Sequence, residues 1–392
     1  MVTHKPASPF PSRPPTCRVT RSVRDKEVTV KGPAAALLVP LVLLPTWPGA
    51  RAATIHVPHD QPTIQAGIDA ASYGDTVLVE CGTYYEHDIQ MESGVRLRSE
   101  TGLADCVTID GQGVEERGIY CFDVDEQGGI EGFTITNALG GGMFCHISSP
   151  LVRNCTFVGN GHMDLYYGGG MLCRGVLFSD RPSSMPTLEN CVFLDNAADT
   201  GGGVCCDEDS GPTLVNCLFS ENRAYRGGDV YCEYYSWPTF DGCTFAGATR
   251  GGGVACSSSL ITLTGCTFYR EGLSILGQDT SVTLSNTIFA FGTGVAVHCD
   301  WGTASANLLC CDIYGYSGGD WVDCIAGQSG IDGNISEDPL FCDEESGDFT
   351  LDAASPCAPA SNPPCGLVGA WDVGCETPAE RTSWGTIKAA FR

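Results

Sequence analysis

The chain has 392 residues, with 47 Asp and Glu against 21 Lys and Arg, so its formal charge is −26. Residues 53–392 alone hold 13 basic and 45 acidic side chains, a formal charge of −32. A surface this acidic repels phosphate backbones and anionic lipids, which excludes nucleic acid as a partner.

Residues 1–52 have the pattern of an export signal. Basic residues at positions 18–31 precede an apolar run from Ala34 to Leu44, and Ala50-Arg51-Ala52 offers small residues for cleavage. The run is too short to span a bilayer. The sequence therefore predicts a signal peptide over 1–52, a secreted or cell-surface location, and no transmembrane span in the mature chain. A disordered basic tail is the alternative.

Residues 53–135 are predicted to form an N-terminal cap and the first, irregular coils of a repeat. TIQAGIDAA at 63–71 has helical spacing, with Ile64 and Ile68 on one face, and TVLV at 76–79 follows as a strand. A helix here would cover the open end of a solenoid, whose core and strand edges are otherwise exposed.

Segments of this region resemble a known superfamily. TIQAGIDAASYGDTVLVECGTYYE at 63–86 resembles the opening of pectin-lyase-like right-handed parallel β-helix proteins, and VTIDG at 107–111 is similar to their rungs. Within the first segment, GTYYE at 82–86 is similar to the GxYxE of pectin methylesterases, a motif that is structural as often as functional. The resemblance implies the fold more strongly than an activity.

Residues 136–325 repeat one pattern. Glycine phrases of the type GGGVCC begin at 140, 168, 201, 227 and 251, and phrases of the type NCLF follow at 154, 190, 216, 242 and 265. Such a period is typical of a solenoid, and the alternation of apolar residues favours strands over helices. We predict an all-β fold, a single-stranded right-handed parallel β-helix with three short strands per coil.

The alternation also assigns faces in the coil that spans residues 204–219. The inward residues are predicted to be Val204, Cys206, Leu214, Cys217 and Phe219, and the outward ones Cys205, Thr213, Val215 and Leu218. The Asn before the third strand, at 154, 190, 216 and 286, tolerates a left-handed backbone at a bend. Such side chains can also bond to one another along the axis.

Of the 23 cysteines, ten recur at two inward positions. We interpret them as stacked, packed thiols, with partial disulfides as the alternative. The ten are Cys145, Cys173, Cys206, Cys232 and Cys256, and Cys155, Cys191, Cys217, Cys243 and Cys266. The disulfide candidates lie outside the repeats and are Cys310, Cys311, Cys324, Cys342, Cys357, Cys365 and Cys375.

After residue 325 the repeat ends. Residues 326–376 are predicted to form a C-terminal cap, since NISEDPLFCDEESGDFTLDAASPCAP resembles the closing segment of exported bacterial β-helix proteins. Residues 377–392 form a short tail with Trp384, Ile387 and Phe391 on one helical face. This tail is either a sorting or anchoring segment or a frayed end.

The acid–base motifs of pectin-active families are absent from the sequence, so we predict no catalytic residues, no metal and no cofactor. The outward residues of the first strand are taken as Phe144, Leu172, Cys205, Tyr231 and Ala255, which carry no acid–base group. Asp207-Glu-Asp209 and Glu233 are interpreted as solvated acidic turns, and His146 and His162 as isolated. Asp123 and Asp125 lack the Glu of a calcium loop.

Two features favour binding over catalysis. Phe-x-x-Asn follows the glycine phrases three times, as in the repeats of polymorphic outer-membrane adhesins, which the sequence resembles there. Aromatic residues on adjacent coils could stack on sugar rings or on a protein. These residues are Tyr166, Tyr167, Tyr225, Tyr231, Tyr234, Tyr235 and Trp237.

The sequence therefore predicts an exported, non-catalytic β-helix protein that acts as a surface adhesin or glycan-binding scaffold. Its partner would be a polysaccharide or a cell-surface protein. The alternative is a divergent polysaccharide lyase or glycoside hydrolase of the pectin-lyase-like superfamily. The two hypotheses differ in one feature, because an enzyme needs carboxylates that converge with Arg, Lys or His.

Overall fold

A computed structural model describes residues 52–178, 183–277, 279–300 and 303–375. The predicted signal peptide, except its last residue, and the predicted tail lie outside the described residues. In the described ranges, no helix has the length and apolar character needed to cross a membrane.

The elements follow one another as short segments along the chain. The first are β1 (Thr54–Val57), α1 (Ile64–Ala70), β2 (Thr76–Val79), β3 (Gly82–Tyr84), β4 (Ile89–Met91), β5 (Arg96–Ser99), β6 (Val107–Val114), β7 (Ile119–Phe122), β8 (Gly129–Glu131) and β9 (Phe133–Ala138). The next are β10 (Met143–His146), β11 (Leu151–Arg153), β12 (Thr156–Val158), β13 (Met171–Arg174), β14 (Thr187–Glu189), β15 (Val192–Leu194), β16 (Val204–Asp207), β17 (Thr213–Val215), β18 (Leu218–Ser220), β19 (Val230–Cys232), β20 (Thr239–Asp241) and β21 (Thr244–Ala246). The last strands are β22 (Val254–Ser257), β23 (Leu260–Thr264), β24 (Thr267–Tyr269), β25 (Leu273–Leu276), β26 (Ser281–Ser285), β27 (Ile288–Ala290), β28 (Val297–Cys299), β29 (Ser305–Leu309), β30 (Asp312–Tyr314), β31 (Phe341–Asp343) and β32 (Asp348–Leu351). Two 3-10 helices lie at Asp323–Ile325 and Glu344–Ser346.

Strands β1 to β30 form three long parallel sheets. Sheet A has 11 strands and runs from β1 to β29, sheet B has 10 strands and runs from β3 to β30, and sheet C has 9 strands and runs from β4 to β28. Each strand pairs with its counterpart in the previous and next coil, so the chain winds once through all three sheets per coil. The predicted parallel β-helix is confirmed. It begins earlier than the glycine phrases, since β1 and β2 already pair in register.

The core is a set of side-chain stacks parallel to the helix axis. Neighbouring rings of one stack, measured between centroids, lie 4.4–5.0 Å apart with interplanar angles of 6–17°. The members of this stack are Phe157, Phe193, Phe219, Phe245, Phe268 and Phe289. Phe219 and the other four residues predicted inward in its coil belong to the same core cluster, which confirms the assignment of faces.

The bends confirm the interpretation of the asparagines. Asn154, Asn190, Asn216 and Asn286 all have φ between 50° and 54°, a left-handed backbone that Asn tolerates. Asn190 Nδ2 donates to Asn154 Oδ1 at 3.4 Å, so bonding along the axis also occurs.

The cysteines divide by position. All ten cysteines of the repeats are free and buried, as predicted. Disulfides join Cys81 to Cys106, Cys299 to Cys324, Cys310 to Cys365, and Cys342 to Cys375. The prediction of disulfides at Cys311 and Cys357 is wrong, because both are free and buried.

The packed thiols lead to a first prediction. Cys206→Ser should lower the free energy of unfolding more than Cys206→Ala. A hydroxyl placed in this apolar stack costs about 1–3 kcal/mol when it lacks a good partner, whereas Ala loses only volume. The measurement is chemical denaturation of both variants, with titration of thiols in the denatured wild type. A denatured chain with fewer than ten reactive thiols would contradict the assignment of free cysteines.

The first coil is capped as the helical spacing predicts. Helix α1 begins after Thr63, whose side chain accepts a hydrogen bond from the N–H of Ala66. The carboxylate of Glu86 accepts from the N–H groups of Ile64 and Gln65 at 2.8 and 3.1 Å. Anions at a helix N-terminus are stabilising because the first N–H groups lack intrahelical partners. Glu86, the last residue of GTYYE, thus has a structural role.

At the other end, β31 and β32 form an antiparallel pair after β30. The chain then returns along sheet B, where Trp371 Nε1 donates to Thr244 Oγ1 at 2.8 Å and Asn286 Nδ2 donates to the carbonyls of Cys365 and Leu367. This leaves the outer face of sheet C as the surface on which the predicted aromatic residues can meet.

Candidate functional site

Two lines of side chains point outward from sheet C. The register pairs Cys145, Cys173, Cys206 and Cys232 with one another along the sheet, and these thiols face the core. Because side chains alternate along a strand, both the residue before each cysteine and the residue after it face outward. The line before the cysteines includes Tyr120, Phe144, Leu172, Cys205, Tyr231 and Ala255.

The line after the cysteines carries acid–base groups, and the sequence prediction missed it. Its members in consecutive coils are Phe122, His146, Arg174 and Asp207, followed by Glu233 directly after β19. The prediction that this face offers no carboxylate, His or Arg is wrong, because it considered only the residue before each cysteine. The same period of two, applied to the residue after it, would have found these side chains.

The two histidines interpreted as isolated both have neighbours. The ring of His146 packs against Phe122 and Phe144, with 5.2 and 5.8 Å between centroids. His162 Nε2 lies 3.1 Å from a carboxylate oxygen of Glu115. The interpretation is therefore wrong, because Phe144 lies on the same strand as His146, and the winding of the coils brings Phe122 to His146 and Glu115 to His162.

Arg174 and Asp207 form a largely buried ion pair. Arg174 Nε and Nη2 both approach Asp207 Oδ2, at 2.8 and 2.6 Å, and the Asp207 side chain is only 1% exposed. Its other oxygen, Oδ1, has no hydrogen-bond partner among the described residues. Burial raises the pKa of Asp207, and the charge of Arg174 opposes that rise. The interpretation of Asp207 as a solvated turn residue is therefore wrong.

Glu233 lies beside this pair, near the hydroxyls of Tyr167 and Tyr231, which favour its charged form. Burial and then the charge of Asp207 raise the pKa of Glu233. Burial also raises the pKa of Tyr231 to about 12, and the nearby Glu233 contributes to that rise. Arg226 lies near the Tyr231 hydroxyl and opposes this rise, so the polar groups of three loops meet here.

These groups line one depression of about 420 Å³ on the outer face of sheet C. Its walls are formed by Tyr166, Tyr167, Asp199, Thr200, Tyr225, Arg226, Tyr231, Glu233 and Tyr234. A second depression of about 340 Å³ shares Tyr225 and Arg226 with the first and continues to Ala255, Ser274 and Asp300. Together they form a groove that follows the coils along sheet C.

The structure brings five of the seven predicted aromatic residues together. Tyr166, Tyr225 and Tyr234 are exposed, and Tyr167 is half-buried. Tyr231 faces outward as predicted, but it is 2% exposed, because it packs among Leu172, Cys205 and Ala255 with Tyr167 against them. Its hydroxyl thus belongs to the floor of the depression, and its ring is not available for stacking.

Tyr235 and Trp237 lie outside the depression. The ring of Tyr235 contacts Phe178, with 6.0 Å between centroids, and the ring of Trp237 covers Gly211. Tyr234 and Tyr235 both have a positive φ, 49° and 64°, so the chain turns sharply between the two rings. The single aromatic wall expected from the sequence is therefore divided into two surfaces.

Arg117 holds the loop that carries Tyr166 and Tyr167. Its guanidinium donates to the carbonyls of Tyr167, Gly168 and Met143 at 3.1–3.3 Å, and it lies 5.3 Å from the ring centroid of Phe144. Burial lowers the pKa of Arg117 to about 10, so it stays charged at neutral pH. No periodic pattern indicates this role, because the contact joins a side chain to backbone two coils away.

The described residues offer one group of three candidate metal ligands, Cys81, Glu100 and Cys106. The two cysteines form a disulfide, so they do not fit a metal ion. What the depression offers is a different chemistry: tyrosine rings at its mouth, hydroxyls and a carboxyl at its floor, and one guanidinium.

Comparison with known proteins bears on the fold. The sequence matches the family described as "Right handed beta helix region" over residues 65–232, 118–289 and 174–336. The chain belongs to this family. The right-handed β-helix was predicted from the repeat and is confirmed by this match together with the sheet topology. No curated protein matches the chain significantly.

Three solved structures resemble the chain only distantly. A pectate lyase, Pel9A, is 13% identical, with a TM-score of 0.45 over 83% of this chain and 98% of that one. ORF18 of Geobacillus virus E2 is 15% identical, with a TM-score of 0.39 over 62% and 54%. A mannuronic acid specific family 6 polysaccharide lyase from human gut microbiota is 11% identical, with a TM-score of 0.31 over 74% and 92%. These sequence identities and TM-scores are too low to assign the activities of those proteins to this β-helix protein.

Proposed function

We propose that this β-helix protein is an exported scaffold that binds a neutral polysaccharide along the outer face of sheet C. The observation that carries the proposal is the depression of about 420 Å³ in which three exposed tyrosines surround the hydroxyl of Tyr231 and the half-buried carboxyl group of Glu233. Sugar-binding sites combine aromatic faces, which cover the apolar side of a ring, with polar groups that fix its hydroxyls.

The charge of the site supports a neutral ligand. Asp199 and Glu233 line the depression, and the guanidinium among its walls, that of Arg226, interacts with the hydroxyl of Tyr231. Residues 53–392 carry a formal charge of −32, which repels polyuronates at moderate ionic strength. Neutral polymers avoid that repulsion, and their hydroxyls can donate to the two carboxylates.

The test is binding of soluble neutral glycans, such as a β-glucan and a galactomannan, with polygalacturonate as the charged comparison. Tyr225→Ala and Tyr234→Ala should each weaken binding of the neutral glycan roughly 3- to 10-fold, because stacked aromatic contacts contribute about 0.5–1.5 kcal/mol. Both side chains are exposed, so the melting temperature should hardly change.

Tyr235→Ala is the matched control, since Tyr235 is the exposed neighbour of Tyr234 but lies outside the depression. It should leave glycan affinity unchanged. Equal losses in Tyr234→Ala and Tyr235→Ala, or preference for polygalacturonate, would contradict the proposal. Binding to a cell-surface protein with no glycan affinity would replace it with the protein-partner alternative.

One observation favours a second candidate function, cleavage of the bound polysaccharide. Glu233 and Asp199 both line the depression, and glycosidases act through two carboxyl groups on either side of the bond that is cleaved. A raised pKa suits Glu233 to donate a proton. Incubation with the bound glycan, followed by assay for reducing and unsaturated ends, tests this candidate. Cleavage that Glu233→Gln abolishes while binding persists would establish it in place of a purely binding role.

A further inference from the structure

A line of asparagine amides runs inside the β-helix, separate from the site on sheet C. Asn160, Asn196 and Asn222 end the Phe-x-x-Asn motifs of three consecutive coils and are fully buried. Each amide bonds to the next, with Asn160 Nδ2 to Asn196 Oδ1 at 3.1 Å and Asn196 Nδ2 to Asn222 Oδ1 at 3.0 Å. The line therefore satisfies its own polar groups without charge.

The next coil interrupts this line. At the fourth position the motif reads Phe245-Ala-Gly-Ala248, so no amide follows Asn222. Its place is taken by Asp229, which stands where the other glycine phrases have their third glycine. Asn222 Nδ2 donates to Asp229 Oδ1 at 2.9 Å. Asp229 is 0% exposed, and its second oxygen, Oδ2, has no hydrogen-bond partner in the part of the chain that the structure describes.

A second carboxyl group approaches the same part of the asparagine line from the following coil. Glu271 ends the fifth motif, Phe268-Tyr-Arg-Glu271, and is 4% exposed. One of its oxygens accepts the N–H of Ala248, and the other lies 3.5 Å from the place where a Cβ on Gly253 would sit. Gly253 is the backbone partner of Asp229, whose N–H bonds to its carbonyl at 3.1 Å. Both carboxyl groups therefore lie near the position at which Ala248 replaces the asparagine of the other motifs.

The charges of this pair are not balanced by a neighbouring cation. Asn222 and the backbone of residues 247–248 face the two carboxyls from one side. Tyr316 faces Glu271 from the other side, where its hydroxyl donates to the Glu271 carbonyl and its N–H bonds to Asp320. Among the described residues, no Arg or His forms an ion pair with Asp229 or Glu271. Two adjacent buried carboxylates without a counter-ion would be costly, and retaining a proton removes one of the charges.

We propose that the Asp229 and Glu271 carboxyl groups keep their protons in the folded protein in mildly acidic solution, and that this makes the β-helix more stable there than at neutral pH.

The direction follows from linkage. Burial raises the pKa of Asp229 to about 7, and burial together with the charge of Asp229 raises the pKa of Glu271 well above its usual value. The unfolded chain releases both protons near pH 4, whereas the folded chain still holds them there. Stability from this pair is therefore complete below about pH 4 and is lost as the pH rises through 7.

The test compares the melting temperature of wild type and Asp229→Asn from pH 4.5 to 8.5. The introduced amide would continue the asparagine line without a charge, so the variant should melt several degrees higher than wild type at pH 8 and close to it at pH 4.5. Asp241→Asn, an exposed carboxyl in the same coil, is the control and should follow the wild-type pH dependence.

Infrared spectroscopy and the effect of added Ca²⁺ test the proposal independently of the melting temperatures. Wild type should show the infrared band of a protonated, buried carboxyl group at pH 6, and both Asp229→Asn and Glu271→Gln should alter it. Parallel melting curves for wild type and Asp229→Asn across the pH range would overturn the proposal. A second combination of results would also overturn it: the wild type lacks the band, added Ca²⁺ stabilises the wild type, and Ca²⁺ does not stabilise Asp229→Asn. In that case a bound cation, and not a proton, would balance the two carboxylates. If Asp229→Asn fails to fold, Glu271→Gln and the wild-type band decide.

Discussion

Phe219→Ala is expected to lower the free energy of unfolding by about 3–5 kcal/mol, the usual cost of truncating a fully buried ring. Phe219 is 0% exposed and is stacked between Phe193 and Phe245, with 4.9 and 5.0 Å between ring centroids. Its removal leaves a cavity in the middle of the stack. Each coil contacts chiefly its two neighbours, so the rest of the solenoid cannot close that cavity easily.

Thr213→Ala is the matched comparison, because Thr213 lies on the outer face of the same coil and is half-buried. It should cost under about 1 kcal/mol. Both variants are measured by chemical denaturation with the wild type alongside. Equal losses would mean that the faces are assigned with a shift of one residue, which exchanges inside and outside along the whole strand.

The repeat made the fold predictable. One rule, alternation with period two, places Val204, Cys206 and Leu214 inside, and the repetition of glycine and asparagine places the bends. Register follows, because a shift by one residue would move every apolar side chain of a coil to solvent. Aligning the repeats with one another was therefore enough to predict which residues of successive coils stack.

The candidate site was less predictable for two physical reasons. The outward line that contains Arg174, Asp207 and Glu233 follows from the same alternation with period two and was therefore predictable. The burial of Tyr231 was not available, because it depends on loops from other coils that cover it. The separation of Tyr234 from Tyr235 depends on two consecutive left-handed residues, which tyrosines rarely adopt and which no pattern announces.

The disulfides show the same limit. Cys310 occupies the bend position that Asn286 has in the previous coil, and its φ of 54° matches. A cysteine at that position faces away from the core, so its disulfide with Cys365 is consistent with the alternation. Cys311, one residue later, faces the core and stays free. Partners such as Cys81 and Cys106 become neighbours only through the register of the first coils.

Arg174→Met should destabilise the folded protein at neutral pH by about 3–5 kcal/mol, because removing one partner of a buried ion pair leaves an uncompensated charge. Asp207 is 1% exposed, and the guanidinium of Arg174 makes both of its charged contacts. Methionine keeps most of the apolar length of the arginine side chain, so the loss reports chiefly on the charge.

The dependence of the stability of Arg174→Met on pH shows whether the charge of Asp207 causes the loss. Burial already raises the pKa of Asp207, and without Arg174 that pKa should rise further. Asp207 in the variant would then be protonated in acid at little cost and charged at neutral pH at a high cost. The variant should therefore approach wild-type stability near pH 4 and lose it as the pH rises through the raised pKa of Asp207.

Arg153→Met serves as the control, since the pair of Arg153 and Glu189 has a similar contact, 2.6 Å, but neither side chain is buried, at 47% and 33% exposed. Exposed ion pairs contribute at most about 1 kcal/mol, so this variant should be nearly neutral at every pH. Melting curves of both variants between pH 4 and pH 8 provide the measurement. A loss in Arg174→Met that does not depend on pH would mean that Arg174 acts through packing on Tyr167, whose ring centroid lies 5.0 Å from its guanidinium, and that Asp207 tolerates its charge alone.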